Sequence, residues 1–189
     1  EHLAAMYGQG PEEQLKNTQR STIVNLAQFN RLVALVEDAI QHGAKVVHGG
    51  TWDANTLRMA PTLLADVHMD MNIMKEEIFG PILPILRWRQ PEEADNILRA
   101  NPLPLAMYVF SKDQSAIQHW TTAHPAGTTG INEVVLQVAQ PDLPFGGIQT
   151  SGMGITGGSG GFCQFSNASS VVQQRTRHNT LPLTFPPSN

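Results

Sequence analysis

The sequence predicts an α/β fold in which a parallel sheet is covered by flanking helices, and three observations point to it. Short runs that are apolar throughout alternate with helices of about ten residues, the pattern of strands buried between helix layers. The clearest amphipathic segment, Leu26 to Gln41, is followed across Gly43 by the strand-like Lys45 to His48. The same helix-and-strand alternation then returns twice farther along.

Taken in order, Leu26, Phe29, Val33, Val36 and Ile40 step by three and four, which places them on one face of a helix. Asn25 is its N-cap with Gln28 three residues on, and Gly43 supplies the left-handed stop. Lys45 to His48 ends in the turn Gly49-Gly50. Ile82 to Trp88 reads as a continuous apolar strand bounded by Pro81, and Pro91-Glu92-Glu93 opens a helix through Arg99. Leu105 to Phe110 is the next strand. Lys112 to His124 reads as a helix broken by Pro125-Ala126-Gly127, and Thr129 to Asn132 as the strand after it. From Leu143 to Gly161 the chain reads as a glycine-punctuated loop. Ser169 to Gln174 alternates as a late strand, and Thr180 to Asn189, with three prolines and no charge, as an extended tail.

The 189 residues carry 12 Lys plus Arg against 16 Asp plus Glu, a formal charge of -4. No basic cluster offers a footprint for a phosphate backbone, so nucleic acid is not an expected partner. No run approaches the ~18 apolar residues of a membrane span, and the N-terminus lacks the order of a secretion signal. A soluble cytoplasmic protein is expected. Only 15% of residues are charged, against roughly 25% in an average domain, so part of the surface is expected to be covered by something else.

Two short patterns in the glycine-rich stretch fail on context. Gly152-Met153-Gly154-Ile155-Thr156-Gly157 matches a dinucleotide fingerprint, but no strand precedes it and no acid follows for the ribose. Gly157-Gly158-Ser159-Gly160-Gly161 matches a nucleophile elbow, but no downstream acid remains, so it reads as loop. The histidines show no ligand spacing: His119 and His124 fall on different helix faces, and His42 and His48 straddle a turn. No metal is expected. The single cysteine, Cys163, lies between Phe162 and Phe165 with no nearby cation, and reads as buried and structural.

Longer words carry more. Lys75-Glu76-Glu77-Ile78-Phe79-Gly80-Pro81, Leu143-Pro144-Phe145-Gly146-Gly147, Ser151-Gly152-Met153-Gly154, and Gly161-Phe162 with Phe165-Ser166 occur in this order. Together they resemble the C-terminal half of the NAD(P)-dependent aldehyde dehydrogenases. Asn101-Pro102-Leu103-Pro104-Leu105-Ala106 and Val138-Ala139-Gln140-Pro141-Asp142 look most like the coniferyl-aldehyde and class 3 branch. The similarity runs from about Tyr7 to Gln174.

The resemblance implies an aldehyde dehydrogenase catalytic-domain-like fold over residues 1–166, a C-terminal oligomerisation strand over 167–175, and an extended tail over 176–189. It places Glu77 and Phe79 against the nicotinamide ribose and ring of NAD or NADP, and makes Phe145 a wall of the aldehyde pocket; if that pocket is still used, Phe79 and Phe145 are expected to line one apolar cavity with Glu77 at its rim. Plain core packing is the competing reading of Phe145. In the family a cysteine thiolate attacks the aldehyde, hydride passes to the cofactor, and a glutamate-activated water releases the acid. The nucleophile, that glutamate and the Rossmann domain all lie upstream of the matched words, so this chain alone is expected neither to bind the cofactor nor to act as a dehydrogenase. Two alternatives stand beside a truncated dehydrogenase. One is a binding or assembly module, a homo-oligomer or the partner of a missing domain. The other is a repurposed, cofactor-independent enzyme of isomerase or cyclase type that takes an apolar small molecule, with Glu77 or Glu133 as its proton-transfer group.

Overall fold

The computed structural model describes residues 1–101 and 103–173, and the chain divides into two compact units, Glu1–Ile97 and Leu98–Asn189. That division falls inside the span expected to form one domain.

The first unit contains α1 (His2–Tyr7), α2 (Pro11–Lys16), α3 (Leu26–Gln41), β1 (Lys45–His48), β2 (Trp52–Asp53), β3 (Arg58–Met59), β4 (Thr62–Ala65), a 3-10 turn at Asn72–Met74 and β5 (Ile82–Pro84). The helix α4 (Pro91–Ala100) runs across the division. α3 forms for the reasons its sequence gives: Asn25 Oδ1 accepts from Gln28 N at 2.9 Å, and Gly43 closes it at φ 101°. Its buried stripe is turned from the expected one, however. Phe29, Leu32, Leu35, Val36 and Ala39 are buried, whereas Leu26 and Ile40 are exposed. The stripe follows the floor it meets, where Met59, Leu64, Val67, Met71, Ile73 and Ile82 complete the core.

The sheet of this unit runs β1-β4-β5. β1 pairs antiparallel with β4, because the β2–β3 hairpin between them turns the chain back, and β4 pairs parallel with β5. In the hairpin turn the Asp53 carboxylate accepts from Thr56 Oγ1 at 2.8 Å and Asn55 N at 2.9 Å. Those two bonds hold its pKa below the ordinary carboxylate value. The expected strand over Ile82 to Trp88 is cut to three residues. Pro84 has no N–H to give the ladder, which ends after Ile85 N donates to Leu64 O at 2.8 Å.

The second unit contains β6 (Ala106–Val109), α5 (Gln114–Ala123), β7 (Thr128–Ile131), α6 (Leu136–Ala139), a 3-10 turn at Gln149–Ser151 and α7 (Gly158–Gln164). β6 and β7 are parallel, pairing Ala106 with Thr128 through Val109 with Ile131, and α5 connects them. Asp113 caps α5 by accepting from Ser115 N at 2.9 Å. Parallel pairing is thus present in both units. The single parallel sheet expected from the sequence is replaced, among the described residues, by a mixed three-stranded sheet, a two-stranded hairpin and a parallel pair.

Two further expectations change. The tract read as loop at Gly157 to Gly161 opens α7, and Cys163 on that helix is exposed. Residues 166–173 carry no strand, while Gln174, residue 175 and the tail lie outside the described residues. No helix among the described residues is long and apolar enough to cross a membrane.

Candidate functional site

In the first unit the segment Lys75 to Pro81 is an irregular loop that meets α3 at Arg31 and Leu32. Ile78 packs on the core, and Gly80 sits against Leu32, where an added Cβ would lie 2.6 Å from both Leu32 methyl carbons. These contacts turn the intervening residue outward. Phe79 is 84% exposed and holds φ 45°, a left-handed conformation that costs a non-glycine residue on the order of 1 kcal/mol or more. An aromatic ring in water on a strained backbone is unusual, and here it stands two residues from an exposed carboxylate. Glu77 makes no hydrogen bond or ion pair with its side chain among the described residues, so both oxygens are free to accept. The loop is tied instead through its carbonyls to Arg31 on α3.

In the second unit Phe145 N donates to Thr156 O at 2.7 Å, and Thr156 N to Phe145 O at 2.8 Å. This one-residue bridge pulls the two glycine-rich words together. Around it lies a concavity of about 460 Å³ to which Leu105, Phe145, Met153, Ile155, Gln164 and Phe165 contribute side chains. No charged residue lines it, and Gln164 and Thr156 are its lining residues with polar side chains. Phe145 is half-buried, as a wall with one open side should be.

The structure brings Glu77 and Phe79 onto one loop and places Phe145 on a concavity. The residues around Phe145 all belong to the second unit, and the Glu77 loop to the first. Glu133 is exposed just after β7, where one carboxylate oxygen accepts from Val134 N at 2.9 Å. It is not among the residues that line the concavity. Of the histidines, His48 Nε2 lies 2.7 Å from Gln14 Oε1, a structural contact within the first unit. Among the described residues no cluster of His, Cys, Asp and Glu could hold a metal.

Arg31, Gln164 and Met153 were not singled out from the sequence. Arg31 sits in an apolar helix period, where a lone cation reads as a solvated face. Met153 lies inside a recognised word and Gln164 beside one, so membership or adjacency was the available signal.

The sequence model of the aldehyde dehydrogenase family matches residues 3–171. The aldehyde dehydrogenase of Craterostigma plantagineum is 38% identical over 185 residues, covering 98% of this chain and 38% of that protein. The dimeric NADP-preferring aldehyde dehydrogenase of Rattus norvegicus is 35% identical over 187 residues, covering 98% of this chain and 40% of its own length. Among solved structures, the substrate-bound state of Staphylococcus aureus AldH superposes with a TM-score of 0.86 at 36% identity, over 98% of this chain and 39% of that one. The chain therefore spans about two fifths of the length of these relatives.

Proposed function

Because this chain belongs to the aldehyde dehydrogenase family, we propose that it serves as the part of an NAD(P)-linked aldehyde oxidation that faces the nicotinamide end of the cofactor and the aldehyde. The observation that carries this reading is the pairing, on one loop, of a solvent-facing ring at Phe79 with an unengaged carboxylate at Glu77. When bound, the nicotinamide cofactor supplies hydride acceptance. Glu77 is of the type to accept hydrogen bonds from ribose hydroxyls, and Phe79 presents a flat apolar face for the ring. The concavity around Phe145, without a charged side chain, suits a neutral apolar aldehyde and offers nothing to neutralise a second carboxylate.

A polypeptide of these 189 residues alone is expected to reduce neither NAD+ nor NADP+ in the presence of benzaldehyde. Its one thiol, Cys163, is exposed on α7 and is absent from the residues lining the concavity. Aldehyde-dependent cofactor reduction that survives Cys163→Ala would overturn this expectation. The positive half is tested by grafting residues 1–173 onto Staphylococcus aureus AldH in place of its matching portion. Within that chimaera Phe79→Ala should raise KM for the cofactor about tenfold or more, and Glu77→Gln should slow turnover. Unchanged KM and kcat in both variants would sink the cofactor reading.

Assembly is the second reading, favoured by the end of the second unit. Met153 (97% exposed), Phe165 (86%), Val171 (90%) and Val172 (94%) set large apolar side chains in water, and groups of this kind mark a surface that another protein covers. A second copy or the remainder of a longer enzyme is the proposed cover. At micromolar concentration the 189-residue chain should sediment as more than a monomer, and loss of residues 169–189 should weaken that association. A strict monomer at all concentrations would refute it.

A further inference from the structure

The loop between the core and Phe79 is anchored at each end by backbone pairing. Lys75 N donates to Asn72 O at 3.0 Å, and Pro81 O accepts from Thr62 N at 2.8 Å. Between those ends, residues 76 to 79 make hydrogen bonds, among the described residues, only to Arg31. Arg31 Nη1 donates to Glu77 O at 3.0 Å and to Glu76 Oε2 at 3.2 Å, and Nη2 donates to Ile78 O at 2.7 Å. Its Nε donates to Gln28 Oε1 at 2.9 Å, which sets the plane of the guanidinium before it meets the loop. Gln28 is itself fixed in the first turn of α3, where its N–H is held by Asn25.

The geometry matters because the two carbonyls belong to consecutive residues and both point at one fork. A rigid guanidinium satisfies them together, whereas an ammonium is a single point charge on a flexible stem. The next residue in the chain is Phe79 at φ 45°. Left alone, a phenylalanine relaxes out of that region. What prevents it is the fixed direction of the peptide planes just before it and the Gly80–Leu32 contact just after it.

We infer that Arg31 is a positioning residue for this loop, fixing the Glu77 and Ile78 carbonyls so that Phe79 is held outward in its left-handed conformation. The inference rests on the reading of Glu77 and Phe79 as the cofactor-facing pair. It predicts that Lys cannot replace Arg31, although Lys keeps the charge and most of the stem.

The test is chymotryptic cleavage of the Phe79–Gly80 bond in the wild-type chain, Arg31→Lys and Arg31→Ala, with cleavage after the buried Phe29 as the measure of global opening. Cleavage at Phe79 requires the pinned loop to open locally, so its rate should rise on the order of tenfold in Arg31→Ala and nearly as much in Arg31→Lys, with the Phe29 rate unchanged. In the Staphylococcus aureus chimaera, Arg31→Lys should raise KM for the cofactor more than it lowers kcat. Wild-type behaviour of Arg31→Lys would overturn the inference, as would a parallel rise in cleavage at Phe29. So would faster cleavage at Phe79 with unaltered KM in a chimaera where Phe79→Ala does raise it. The cofactor reading fails by a different result, unaltered KM on Phe79→Ala itself, which leaves the cleavage rates to decide the anchoring of the loop.

Discussion

Leu32→Ala should destabilise the first unit by roughly 3–5 kcal/mol, read as a lowered midpoint in urea unfolding. The side chain is fully buried, at 0% exposure, and lies in the cluster that joins α3 to Leu64, Met71 and Ile82. It is also the support under the candidate site, since Gly80 rests on its two methyls. That second role is measurable by itself. Gly80→Ala puts a Cβ 2.6 Å from each Leu32 methyl carbon, too close for a well-packed leucine to yield without strain. In the Leu32→Ala background the obstruction is gone, so the same Gly80→Ala change should cost about 1 kcal/mol less or better. Strict additivity of the two substitutions would show that Gly80 does not depend on Leu32, and would remove the packing argument for how the loop is seated.

Where local chemistry decides, the fold was legible from the sequence. Asn25, Gln28 and Gly43 mark the ends of α3 because caps and left-handed stops act over a few residues. The parallel pair β6–β7 with its helix was legible for a similar reason: Ala106–Val109 is a mostly apolar run and Thr128–Ile131 a short one rich in β-branched residues, separated by a helical segment. What decides the rest is contact with distant residues. β2 and β3 have two residues each, too few for any periodicity, and exist through their pairing and the Asp53 turn. α7 begins Gly-Ser-Gly-Gly, a poor helix former by composition, so no propensity argument could have found it. Its error carried another with it: Phe162 and Phe165 were read as walls around a buried Cys163, yet Phe162 in the last turn of α7 and Phe165 just past its end both stand in water. Of the candidate site, Glu77, Phe79 and Phe145 came from recognised words. The support from Arg31 did not, because a hydrogen bond across 46 residues leaves no pattern in the chain.

Gly147 and Phe145 are two residues apart and should respond to alanine in opposite ways. At Gly147 an added Cβ would run into the carbonyl of Ser151, a backbone group with no room to give. Ser151 is itself locked, its N–H donating to Ile148 O at 3.0 Å and its Oγ accepting from Ile148 N at 2.8 Å. Gly147→Ala is therefore expected to cost about 3 kcal/mol or more and to open the turn that shapes the concavity. Phe145→Ala removes a half-buried ring facing the 460 Å³ concavity, while its backbone pairing with Thr156 survives. It should cost about 1–2 kcal/mol, below the roughly 3–5 kcal/mol of a core phenylalanine, yet weaken binding of benzaldehyde about tenfold. Thermal unfolding and ligand titration on the same preparations separate the two effects. If Phe145→Ala instead lost the full core value with benzaldehyde binding unchanged, Phe145 would be packing and the concavity no pocket. If Gly147→Ala were tolerated, the turn would not be as tight as the Ser151 contact requires, and the shape of that wall would have to come from elsewhere.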